Sequence, residues 1–211
     1  MLAAIAHRIS LRMIFDQPQQ AVEQQDRSAA RFSQLTRLIA VFESTFSSVH
    51  YRLLNSITAI NAQASFANGT CVVDIFGGLA FHPAIRHDGL VFMLLHETGH
   101  HLSSGCKLPW VQLACECSAD RWTTVGGRKA LQAKGEDFRL QAALQEIEHA
   151  VGSQAQQISS ASATRSRCWA MNWQQRKRTL LDGQATVLKT CQISSAITRS
   201  QSGGQYGRTD P

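Results

Sequence analysis

The stretch Gly89–Leu102, GLVFMLLHETGHHL, constrains the chain more than any other. Six consecutive apolar residues, Leu90 to Leu95, run directly into His96-Glu97-Thr98-Gly99-His100-His101. Phe92, Leu95, Gly99 and Leu102 recur at helical spacing, so the segment reads as a buried helix. Gly99, with no Cβ on that stripe, lets another backbone come close. A helix of this kind carries a carboxylate and imidazoles into the interior, where polar groups need partners.

The spacing of those polar residues suggests the partner. Positions i and i+4 lie one above the other on a helix, so His96 and His100 can present ring nitrogens to one ion. Glu97 is turned by about 100° from His96. It can stand beside an ion without filling a ligand position. A third donor is expected close by, and Glu116-Cys117-Ser118-Ala119-Asp120 supplies one sixteen residues past His100. Glu116 completes a His2Glu set that leaves the fourth position to water, the pattern of catalytic zinc. Asp120, one turn on, can accept the second ring N–H of a ligating histidine and hold its tautomer.

H-E-x-x-H on one helix followed by Glu-x-x-Ala-Asp on the next resembles the gluzincin-type zinc metallopeptidases. The second motif has the form found in the CAAX-prenyl-protease and heat-shock membrane protease family. The stretch from Asn61-Ala62 through Phe76-Gly77-Gly78-Leu79-Ala80 to His96–His101 is also similar to a group of small bacterial metallopeptidase-like proteins. The resemblance covers about residues 57–125. It implies an α+β fold, mostly helical and zincin-like, with a small β-sheet or hairpin ahead of the active-site helix. It also implies a zinc ion (Zn2+) held by His96, His100 and Glu116, with Glu97 as proton acceptor and donor for a metal-activated water. The implied substrate is a peptide or protein. Unlike the membrane family, this chain has no transmembrane segment and only a short span between the two helices.

Elsewhere the pattern is helical with one hairpin. Apolar residues at Leu35, Leu38, Ile39, Phe42, Phe46, Val49 and Leu53 predict a helix over Ser33–Leu54. Asn68-Gly69 between the alternating Ser56–Phe66 and the β-branched Cys71–Phe76 predicts a two-residue hairpin turn. Gly77-Gly78 ends the second strand. Val73–Phe76 is a candidate edge strand for an extended peptide. A second helix is expected over Val111–Thr124, closed by Gly126-Gly127, with further helices over Phe138–Val151 and Thr164–Leu181. Residues 1–32 read as a helical and linker segment, 33–194 as the metallopeptidase-like domain, and 195–211 as a disordered tail.

The remaining features narrow the function classes. No apolar stretch approaches the roughly 20 residues that cross a bilayer. The N-terminal MLAAIAHRISLRMIF interrupts its apolar residues with Arg8 and Arg12, unlike a secretory signal. Net charge is 21 − 15 = +6. Residues 161–211 hold eight basic and two acidic side chains, so all the excess lies there. That distribution suits a neutral body with a basic end, with Arg176-Lys177-Arg178 as a solvated face, and no specific nucleic-acid partner is expected. Cysteines at 71, 106, 115, 117, 168 and 191 permit three disulfides. Cys115 or Cys117 could pair with Cys106 or stay a buried thiol, and Cys168 could pair with Cys191. Trp169 and Trp173 read as core packing and His101 as a neighbour of the site or a surface residue. His82 and His87 are the candidate donors to a developing oxyanion, since tyrosine occurs only at Tyr51 and Tyr206. The alternatives to a peptidase are another metal-dependent hydrolase, a metal-binding scaffold without activity, and a basic-tailed anion binder with incidental histidines.

Overall fold

A computed structural model describes residues 25–105, 107, 112–151 and 173–182. Helix α1 (Ala29–Thr45) leads into strand β1 (Val49–Leu54), and a loop leads to the hairpin β2 (Ala62–Ala67) and β3 (Thr70–Phe76). A short α2 (Gly77–Ala80) precedes α3 (His87–Leu102), the central helix. Then follow α4 (Glu116–Trp122), a π-helical turn at Thr123–Gly127, α5 (Arg128–Gln132), α6 (Leu140–Val151) and α7 (Trp173–Leu181). The fold is α+β, with a three-stranded sheet ahead of the central helix.

The sheet order is β1-β3-β2, with β1 parallel and β2 antiparallel to β3. The hairpin forms where Asn-Gly predicts it. Ala67 pairs with Thr70 across the turn, and Asn68 and Gly69 both have positive φ, 51° and 78°. β3 is therefore the central strand, not the edge expected for Val73–Phe76. The edge on the helix side is β2. Val49, Tyr51, Val73, Ile75, Ala62 and Ala64 share one sheet face by register and are buried. That face, α1 and α3 contribute to one core with Leu35, Leu38, Phe42, Leu90, Phe92 and Leu94.

The helix expected over Ser33–Leu54 ends at Thr45, and Val49–Leu54 is strand β1. The misreading has a simple cause. Val49 and Leu53 are four apart, an even step that keeps one face in a strand as well as in a helix. Tyr51, buried between them, carries the period of two that decides the matter.

Several polar contacts fix α3. Arg31, buried in α1, donates to the carbonyls of Ala80 and Ile85, bracketing the loop before α3. Glu146 of α6 accepts from the Arg86 and Gly89 amides at 2.8 Å each, satisfying donors left open at the helix start. Tyr51 donates to Thr98 at 2.7 Å while Thr98 donates to the Leu94 carbonyl, joining β1 to the helix.

Helix α4 begins at Glu116 rather than near Val111. Gln112 has φ 58°, and Ala114 is extended, bridging Lys107. Nor does Gly126-Gly127 close this helix, since the chain passes through the π turn into α5. A Cβ at Gly127 would lie 2.5 Å from the Trp122 ring and 2.9 Å from Leu95, so the glycine makes room for the indole against α3. The helix expected from Phe138 starts at Leu140, and Trp173–Leu181 is helical within the expected Thr164–Leu181, whose residues 164–172 lie outside the described residues. The expected helix over residues 2–15 and the expected disordered tail lie outside the described residues. Among the described residues, no helix is long and apolar enough to cross a membrane.

Gly77-Gly78 does end β3, because the loop after β1 crosses there. A Cβ at Gly78 would stand 2.0 Å from the Thr58 carbonyl oxygen. Gly78→Ala is expected to destabilise the protein by about 1–3 kcal/mol through forced backbone displacement, read as a lower urea midpoint.

Candidate metal centre

Helix α3 brings His96 and His100 to one face, and α4 brings Glu116 to meet them. His96 Nε2 is 3.1 Å from His100 Nε2 and 3.1 Å from Glu116 Oε2. His100 Nε2 is 3.6 Å from Glu116 Oε1. Ligand atoms of the three residues all lie within 4.8 Å of one another, and all three residues are buried. Among the described residues this is the group of histidine and carboxylate donors able to share one ion.

The outer nitrogens of both rings face oxygen acceptors. His100 Nδ1 is 2.7 Å from the Ala114 carbonyl, which only accepts, so that nitrogen carries the proton. The Ala114 amide in turn donates to the His100 carbonyl at 2.7 Å, satisfying an acceptor at the end of α3. This double latch explains why the segment before Glu116 is extended. His96 Nδ1 lies 2.8 Å from Asp120 Oδ1, in ion-pair range. Asp120 thus occupies the place its spacing predicts. With Nδ1 of His100 holding its proton, that ring turns its Nε2 lone pair inward, facing His96 Nε2.

Glu97 is fully buried. Its Oε2 accepts from the Ala64 amide on the β2 edge at 2.7 Å, while Oε1 has no partner. Burial pushes its carboxyl up to about 8, with Glu116 adding to the rise and His96 opposing it.

One participant was not foreseen. Arg176, expected on a solvated face, is buried at 1% exposure. Its Nε and Nη2 donate to the two oxygens of Asp120 at 2.9 and 2.7 Å, and its Nη1 lies 3.0 Å from Glu116 Oε2. The sequence held a signal for this. Trp173, Arg176 and Leu180 share one helical stripe, and all three are buried. Burial opposes charge on Glu116, but Arg176 and the two histidines bring it down to about 2. Asp120 is likewise lowered against its burial, by Arg176 and His96.

The histidines differ. Burial takes His100 down to about 4. Burial also works against charge on His96, yet Asp120 and Glu116 outweigh it and raise the ring to about 10. His96 is thus the more basic of the two rings. The donor set also fits a divalent metal. Two imidazole nitrogens and a carboxylate oxygen, all within 4.8 Å of one another, are the donor types such an ion takes.

The other candidates lie elsewhere. His101 is buried, hydrogen-bonds the Val72 carbonyl at 3.0 Å and meets the Phe66 ring edge-on. It ties α3 to the sheet. His82 Nδ1 accepts from the Ala84 amide. His87 sits between Glu136 and the Asp137 carbonyl, at the start of α3 and more than two turns from His96. His87 is therefore too far along the helix from the paired imidazoles to serve an oxyanion there. Tyr51 is bound to Thr98, two residues from each histidine and on the opposite helix face. Cys117 is disulfide-bonded, and Cys115 shares a hydrogen bond with Ser118 Oγ at 3.3 Å. Neither sulfur belongs to the group of converging donors. Cys106, Trp169, Cys168, Cys191 and Tyr206 lie outside the described residues. No family model, curated protein or solved structure matches the chain.

The approach of α4 to α3 rests on Gly99. A Cβ there would lie 2.9 Å from the Ala119 carbonyl oxygen and 3.1 Å from its Cα. Gly99→Val is expected to push α4 away, lowering stability by about 1–3 kcal/mol. The ring nitrogen NMR shifts of His96 and His100 should change in the folded variant as Glu116 recedes.

Proposed function

We propose that this chain is a zinc-dependent metallopeptidase, a metalloendopeptidase in which His96, His100 and Glu116 hold the metal and Glu97 handles protons. One observation carries the reading. Two buried imidazoles, His100 with Nδ1 donating to the Ala114 carbonyl and His96 with Nδ1 2.8 Å from Asp120, turn their Nε2 atoms toward each other at 3.1 Å with a carboxylate alongside. Such a cluster suits a shared divalent cation, and its donors are those of a catalytic zinc site.

A bound zinc ion would supply Lewis acidity, polarising the scissile carbonyl and acidifying a water. The chain's own residues do the rest. Glu97, anchored through Oε2 to the Ala64 amide, would take the proton of the attacking water on Oε1 once a bound cation had drawn its raised carboxyl back down. The same oxygen then gives that proton to the leaving amine. Asp120 and the Ala114 carbonyl keep the two rings in one tautomer and orientation.

A second reading is favoured by the depth of the site. His96 and Glu97 are 0% exposed and His100 is 1% exposed. That enclosure suits a metal-binding scaffold without peptidase activity, since a peptide must reach the carboxylate to be cut. Metal content and cleavage separate the two. The purified protein is expected to hold about one zinc per chain by elemental analysis, and His96→Ala and Glu116→Ala should lose it. Glu97→Gln should keep its zinc and cut an unfolded protein substrate about 10²–10⁴-fold more slowly. Zinc-loaded wild type that cleaves no unfolded protein or peptide library would transfer the assignment to the scaffold. A folded protein that takes up no zinc would end both readings.

A further inference from the structure

We infer that Arg176 is a positioning residue for the metal centre, orienting Glu116 directly and His96 through Asp120. The inference rests on the metal-site reading above and goes beyond its ligand set.

The geometry forms a chain of contacts. Two guanidinium nitrogens of Arg176 grip both oxygens of Asp120, a planar fork on a planar carboxylate. Asp120 faces His96 Nδ1 at 2.8 Å, and the opposite nitrogen of that ring faces the centre. The third nitrogen, Nη1, reaches Glu116 Oε2 at 3.0 Å. One side chain from α7 therefore braces two carboxylates on successive turns of α4. One of them is a proposed ligand and the other orients a proposed ligand.

The location of Arg176 makes this more than a surface ion pair. It is 1% exposed, so its charge is placed in the interior, where an arginine is costly unless fully paired. Among the described residues, its ion-pair partners are carboxylates of the centre, Glu116 and Asp120. The rest of α7 holds it there. Trp173 and Leu180 are buried on either side of it along the helix, and Lys177 and Gln174 bind Glu148 of α6. Lysine would keep the charge but could not span both Asp120 oxygens and Glu116 at once.

Titration with Co2+, followed by its visible ligand-field bands, tests the inference in the full chain. Wild type should bind about one equivalent, and His96→Ala should bind none at that site. Arg176→Gln and Arg176→Lys should each bind about 10–100-fold more weakly. At saturating Co2+ their band positions should differ from wild type, because the ligand geometry has changed. A loss of general stability alone would weaken binding without moving the bands of the loaded protein. Added guanidinium should restore the wild-type bands in Arg176→Ala by refilling the site between the carboxylates. Should Arg176→Gln fail to fold, the charge-conserving Arg176→Lys and the guanidinium rescue decide the matter. Folded Arg176 variants with wild-type affinity and bands would overturn the positioning role while leaving the metal site intact. No Co2+ uptake by wild type would instead remove the metal-site reading itself.

Discussion

The contact between the apolar helix α3 and the short helix α4 governs the structure. Gly99 lets the Ala119 backbone lie against α3, and this closeness allows Glu116 and Asp120 to reach His96 and His100. The three-stranded sheet, α1 and α6 hold α3 from its other sides. The molecule uses most of its core to fix one helix and then brings a second against the face that bears the imidazoles.

This arrangement concentrates charge where solvation is poorest. Three carboxylates, two imidazoles and a guanidinium share a buried volume. Their interactions oppose burial in most cases. Arg176 keeps Glu116 and Asp120 charged, and Asp120 keeps His96 basic. Glu97 and His100 follow burial instead. Breaking such a network by removing one partner leaves the others unpaired in a low-dielectric setting. The network is thus a strong constraint on folding.

Backbone groups complete it. Ala114 latches His100 from outside the helix, and Ala64 on the β2 edge holds one oxygen of Glu97. Both are small residues whose side chains contribute little, so their roles rest wholly on where the chain runs. The extended segment before α4 and the outer edge of β2 supply what no side-chain motif encodes.

The residues His96, Glu97, His100, Glu116 and Asp120 were legible from order alone, because helical spacing converts i, i+4 into adjacency and burial of polar groups demands partners. The Asn68-Gly69 turn was legible for a similar local reason, since both positions need positive φ. Val49–Leu54 was not, because its four-residue step satisfies helix and strand alike and only pairing with β3 selects one. The start of α4 at Glu116 depended on Ala114 docking against the end of α3, a contact between segments. Arg176, sixty residues beyond Glu116, looks from its neighbours Lys177 and Arg178 like part of a solvated basic face. Only the packing of α7 turns it inward. Local order determines which side chains can share a face, whereas charge partners distant along the chain are chosen by the fold that brings their helices together.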